Sequence, residues 1–253
     1  MSPMTIAGIV LGVIFLGALL GVVLRANLPG HHVEESSKDS VRLVMGLIAT
    51  MSALVLGLLI ASAKSSYDTQ SGELVHLAAD VIQLDRILAH YGPESLPARA
   101  RFRDTVERSI DRIWPHGGGR SVSLGLPGDK NESADFYALI SHLQPQTSAQ
   151  RFAQARALEI GAELSRTRVL MSEQTGSSIA WPFLVVLVFW LAILFMGFGM
   201  FAPANATVLA ALFVGALSVA GAVFLILELD QPYEGLMRLP SAVLRNALAQ
   251  IGP

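Results

Sequence analysis

Residues 43–63 read LVMGLIATMSALVLGLLIASA, a run without one ionisable side chain. At 1.5 Å per residue such a helix covers a hydrocarbon core about 30 Å thick. Three further runs share the property: Thr5–Leu24, Ile179–Phe201 and Thr207–Leu227. The pattern predicts an all-α, polytopic membrane protein with four transmembrane helices. It also narrows the mechanism. Proton relays, ion-coupled carriers and voltage sensors place Asp, Glu, Lys, Arg or His inside their spans, and these four contain none.

The second span does not stop at Ala63. Between Ser40 and Tyr91 there is no proline, and Leu74, Leu77, Val81, Leu84 and Leu88 recur at alternating steps of three and four. That is the period of an amphipathic helix or a coiled-coil seam, so one helix is expected to run from the bilayer into solvent. Gly92-Pro93 ends it, because glycine suits a helix C-terminus and proline cannot extend the ladder. A second soluble helix is predicted over Leu96–Trp114, with Phe102, Val106, Ile110 and Ile113 on one face. Pro115–Asn131 reads as a loop around Gly117-Gly118-Gly119. Further helices are expected at Ser133–Leu143, with Ser133 as N-cap, and at Ser148–Gln174. The chain thus divides into a first span pair (1–63), a helical soluble region (64–178), a second span pair (179–227) and a C-terminal tail (228–253).

Composition closes several routes. The 253 residues are 52% hydrophobic and 15% charged, too apolar for an ordinary soluble domain. A net charge of −2 gives no reason to expect nucleic acid. With no cysteine there is no disulfide, thiol nucleophile or thiolate metal site. Met1–Met4 carries no basic residue, and Arg25-Ala26-Asn27 is not a cleavage signal, so the first run is read as a retained span. Lys and Arg near the span ends favour both termini and residues 64–178 in the cytoplasm and Ala26–Arg42 outside, in the cell (inner) membrane.

The spans differ in bulk. The second carries Ala49, Ala53, Gly57 and Ala61 at steps of four, the first Gly8/Gly12 and Gly17/Gly21, and the fourth Gly215, Ala216, Ala220 and Gly221. Small faces let helices approach closely in lipid. The third is bulky all round, from Leu184 to Phe195, and is expected to face lipid, with Trp181 and Phe201 near its two interfaces.

Several segments resemble the bestrophin-like membrane proteins, a mostly bacterial family of unknown function. They are Asp39-Ser40-Val41-Arg42-Leu43-Val44-Met45-Gly46-Leu47, Leu56-Gly57-Leu58-Leu59-Ile60-Ala61-Ser62-Ala63 into Ser66-Tyr67-Asp68, Leu84 to Tyr91, and Asp230-Gln231-Pro232-Tyr233-Glu234-Gly235. The order of two spans, a helical block and two spans is similar too. True bestrophins are oligomeric anion channels whose second span lines the pore, so the resemblance implies a passive channel. The second span here holds no Phe, Tyr or Trp, so an aromatic neck has no counterpart. No acidic cluster matches the bestrophin calcium clasp.

Two residue sets are candidate sites. Ala49, Ala53, Gly57 and Ala61 either line a conduit that gates by dewetting or form a helix–helix contact. Asp68, Glu73, Glu228, Asp230 and Glu234 lie just beyond spans two and four. They read either as an acidic vestibule for a hard cation or as a solvated boundary with ordinary ion pairs. His31-His32 with Glu34-Glu35 reads as a polar loop rather than a metal site. Gly117-Gly118-Gly119-Arg120-Ser121 lacks the spacing and lysine of a phosphate loop. No nucleophile elbow or zinc-helix motif occurs, so neither a catalytic residue nor a cofactor is assigned and the protein is read as a non-enzyme. The expected partners are the bilayer, inorganic ions and further copies of the chain, since small faces and an exposed apolar seam both call for a neighbour. The leading expectation is an oligomeric, passive, bestrophin-like ion (anion) channel. The alternative is a non-conducting scaffold or signalling protein with a cytoplasmic helical stalk.

Overall fold

The computed structural model describes residues 2–27, 35–115, 136–173, 181–203, 205–233 and 235–252. All regular structure among them is helical. The chain forms two units, Met1–Ser66 with Ser178–Asp230, and Tyr67–Ser177 with Gln231–Pro253. Seven helices are used below: α1 (Pro3–Asn27), α2 (Glu35–Tyr91), α3 (Leu96–Ile113), α4 (Ser148–Glu173), α5 (Trp181–Phe201), α6 (Ala206–Leu229) and α7 (Ala242–Gln250). Four are long and apolar enough to cross a membrane: α1, the α2 segment from Asp39, α5 and α6. The predicted second span and its continuation are indeed one helix of 57 residues.

In the membrane unit, α1 presents Ala7, Val10, Ile14, Ala18 and Gly21 at helical spacing to its neighbours. Gly17 and Gly21 bring its backbone onto α5: a Cβ at Gly17 would sit 2.8 Å from the Ala192 carbonyl oxygen, and one at Gly21 would collide with the Met196 carbonyl. From the α5 side, a Cβ at Gly199 would strike the Ala18 carbonyl. Gly8 and Gly12 meet nothing and take no part. Phe15 and Phe213 meet edge to face with ring centres 5.3 Å apart, joining α1 to α6. Asn205 caps α6, its side-chain oxygen accepting from the Val208 N–H at 2.8 Å.

The third span corrects an expectation. Read as the lipid-facing helix, α5 is instead the most buried of the four, with 39% of its apolar window covered. Leu184, Leu187, Leu191, Leu194 and Phe195 lie inside the unit's core, while Val185 and Phe189 face out. In lipid the tail-facing and core-facing sides of a helix are equally apolar, so bulk carries no information about which side is covered.

In the soluble unit, the seam of α2 is internal. Leu74, Val81, Leu84 and Leu88 are almost fully buried, against Phe102, Val106 and Ile110 of α3 and Ile160 of α4 among others. The expectation of an exposed seam awaiting a second copy is therefore overturned: the chain's own helices cover it. α2 stops at Tyr91, where Gly92 takes φ 125°, a value open to glycine. A short 3₁₀ turn, Pro93–Ser95, reverses the chain, with the Ser95 hydroxyl donating to the carbonyls of Leu88 and Gly92. α4 starts with a capping box. The Gln150 N–H donates to Thr147 Oγ1 at 3.1 Å, and the Thr147 N–H to Gln150 Oε1 at 3.2 Å. Residues 136–141 are helical, within the predicted Ser133–Leu143; Ser133 itself, the loop at 116–131 and Ile179 lie outside the described residues.

The segment set apart as a C-terminal tail packs within this unit. Leu239, Leu244, Ala247 and Ile251 are core residues, and the Trp114 indole N–H donates to the Leu239 carbonyl at 3.0 Å. Arg103 donates to the Ile251 carbonyl at 2.6 Å. Asp85 of α2 receives Arg99 of α3 through two bonds, at 2.8 and 2.9 Å, and also accepts from the Gly252 N–H at 3.3 Å. That carboxylate joins three parts of the chain.

A site on the α2–α4 surface should make stability depend on pH. Burial, and then the carboxylate of Glu163, raise the Asp80 carboxyl above its usual range, opposed by His76 and Arg156. A folded-state value above the unfolded one gives stability that is full below the unfolded value and lost as pH rises through the folded one. Asp80→Asn should therefore raise the thermal midpoint slightly at neutral pH, the gain fading as pH falls into the carboxylate range. An equal gain at both pH values would show that the charge is not the cause.

Candidate pore face and boundary acids

The membrane part of α2 has two unlike sides. Met45, Ser52, Leu59 and Ala63 are buried, and Ile48, Ala49, Val55 and Leu56 pack partly against the same core. Ala53, Gly57 and Ala61 are exposed, and a Cβ added at Gly57 would meet nothing within 4 Å. The predicted small stripe is thus split. Ala49 lies at the edge of the intrachain contact, whereas the other three line an open face beside Leu54 and Leu58. Only 11% of this span's apolar window is covered, the least of the four.

Ser52 lies on the buried side, 3% exposed, and its hydroxyl has no hydrogen-bond partner among the described residues. Thr50 and Ser218, by contrast, return their hydroxyls to carbonyls four residues back, Gly46 at 2.9 Å and Val214 at 2.8 Å. A hydroxyl inside an apolar run was the available signal for Ser52, and sequence reasoning passed over it.

The boundary acids do not share one environment. Glu228 and Asp230 are buried at the end of α6, 4% and 9% exposed, and each has an interaction partner. Those two are not side chains of a solvated boundary. Asp68 is exposed and Glu73 half-buried, both in the soluble unit, and Glu234 lies outside the described residues. Glu73 faces Tyr233: burial first, and then that carboxylate, push the phenol well above its ordinary value. On α2, Gln70 is buried, and neither its carbonyl oxygen nor the Tyr233 hydroxyl has a hydrogen-bond partner among the described residues. Among the described residues no three His, Cys, Asp or Glu side chains are grouped to hold a metal ion. The His31-His32-Glu34 positions and the 117–121 glycine run lie outside them.

Four spans, a helical block between the second and third, and a return of the chain into that block make a distinctive order. A family model described as the bestrophin-like domain matches residues 12–244, from within α1 to within α7. The chain belongs to the bestrophin-like family. The chain is a multi-pass membrane protein, and the bilayer is its surrounding medium. It is also similar to a protein of Thermosipho melanesiensis described as a "Putative regulatory protein", 36% identical over 91 residues, which are 35% of this chain and 86% of that one. No solved structure matches the chain.

Proposed function

We propose that this bestrophin-like protein is a homo-oligomeric, passive ion channel that conducts anions along a path lined by α2. The observation that carries this reading is the open small face of Ala53, Gly57 and Ala61 on the least covered span. α5 is the most covered of the four spans and α2 the least, which leaves α2 to face other copies. Charge-free spans suit passive conduction and give coupled transport no titrating group. A path walled by alanine, glycine and leucine would gate by dewetting rather than by a charged ring. Both termini and residues 64–178 lie on the cytoplasmic side in this reading. Bilayer recordings of the assembled protein test it. Gly57→Leu and Ala53→Trp should lower conductance severalfold while leaving the fold intact, because neither side chain meets its own chain. Silent bilayers across anions and cations, from correctly assembled protein, would sink the proposal.

The similarity to a protein named as regulatory favours one second reading, a non-conducting membrane scaffold or signalling partner. Its original support, a free apolar stalk, is gone, because the seam of α2 is covered.

A further inference from the structure

The Arg42 end of the α2 span and the Phe201 end of α5 flank a crevice of about 290 Å³, lined by Arg42, Met45, Gly46, Ala49, Phe198 and Phe201. Its origin is local. Gly197 admits the Met45 thioether, which lies 2.6 Å from where a Cβ would stand, and this seats the two helices together. Gly46 and Ala49 then leave α2 with almost no side chain at the level where α5 carries two phenylalanines. A Cβ at Gly46 would meet nothing within 4 Å. Five of the six lining residues lie within the apolar windows of the spans. α2 enters its apolar run just after Arg42 and α5 ends at Phe201, so Arg42 stands at headgroup depth. Its side chain is 65% exposed and, among the described residues, pairs with Asp39 at 3.4 Å, a pair of the kind worth little in water. A second cation at this end, Arg25, is engaged with the Ala202 carbonyl.

We infer that this crevice is a phospholipid site, in which one acyl chain lies along Gly46 and Ala49 against Phe198 and Phe201 while an anionic headgroup phosphate meets Arg42. An apolar slot at membrane depth ending in one exchangeable guanidinium matches the two chemistries of a lipid in their right order. The volume lies at the low end for small-molecule pockets and takes part of one chain rather than a whole ligand. Arginine is the side chain suited to grip a phosphate through paired donors. The inference does not depend on whether the protein conducts.

The test is native mass spectrometry of the full chain released from nanodiscs of mixed phosphatidylglycerol and phosphatidylcholine. Wild type should retain phosphatidylglycerol preferentially. Arg42→Gln should lower that retention by roughly five- to tenfold, the share of one interfacial cation, and Arg42→Lys should keep most of it. Gly46→Leu should remove both lipids at an unchanged thermal midpoint, since its side chain fills only the slot. Millimolar inorganic phosphate should displace nothing. Undiminished retention by Arg42→Gln, or displacement by inorganic phosphate alone, overturns the inference. So does cross-linking of Ala49→Cys between copies, which would mean that protein fills the slot.

Discussion

Gly199→Leu should prevent α1 and α5 from closing and remove most of the folded, monodisperse protein recovered in detergent. The added side chain has no flexible neighbour to push aside. Its first atom already strikes the Ala18 carbonyl and comes within 3.1 Å of the Val22 nitrogen, both backbone atoms of a helix. Overpacking usually costs about 1–3 kcal/mol, and an obstacle made of backbone belongs at the top of that range or above it. Gly21→Leu should behave alike, since its Cβ would lie 2.8 Å from the Met196 carbonyl carbon and 2.9 Å from the Met200 nitrogen. Gly8→Leu and Gly12→Leu are the controls, because space around them is open. Thermal unfolding in detergent checks the set. A Gly199→Leu protein that melts with wild type would refute the close approach of these helices.

Asp85→Ala should destabilise the soluble unit by about 3–5 kcal/mol, the range for removing one partner of a buried ion pair. The carboxylate side chain is 7% exposed and Arg99 14%, so the stranded guanidinium gains little water in return. Arg99 is held protonated above its ordinary range, chiefly by its hydrogen bonds to Asp85, and cannot shed its charge to escape. The Gly252 N–H loses its acceptor as well, so amide exchange should quicken in Ala242–Gln250 before it does in α4. The double change Asp85→Leu with Arg99→Met should recover most of the stability, because a packed apolar pair avoids the desolvation penalty. If the single change leaves both melting and exchange untouched, Asp85 does not hold these segments together.

The helices were legible wherever their ends carry chemistry. Gly92-Pro93 announces the stop of α2, and the 102–106–110 spacing announces the buried side of α3. The four spans follow from length and lack of charge alone. What sequence could not supply is the identity of the covering partner. The period of Leu74 to Leu88 says that one side of α2 is buried, yet it reads alike whether α3, α4 or a second copy covers it. The bulk of α5 was misleading for the same reason in lipid. Of the small stripe, the spacing was plain, but only packing separates Ala49 from Ala53, Gly57 and Ala61. The acids near the spans were countable from sequence, whereas the burial of Glu228 and Asp230 depends on how the end of α6 is enclosed.

The return of the last segment into the soluble unit sets an order of events during synthesis. Trp114 waits for Leu239, and Arg103 for Ile251, partners made 125 and 148 residues later. A chain made at about 5–20 residues per second must complete α5 and α6 before those partners exist. During that interval the surfaces of α2 and α3 destined for Leu239, Leu244 and Ile251 are bare to solvent and to chaperones. Completion of the soluble unit therefore reports that the second membrane pair has already been synthesised, and a premature stop within it leaves an unfinished core for quality control to find.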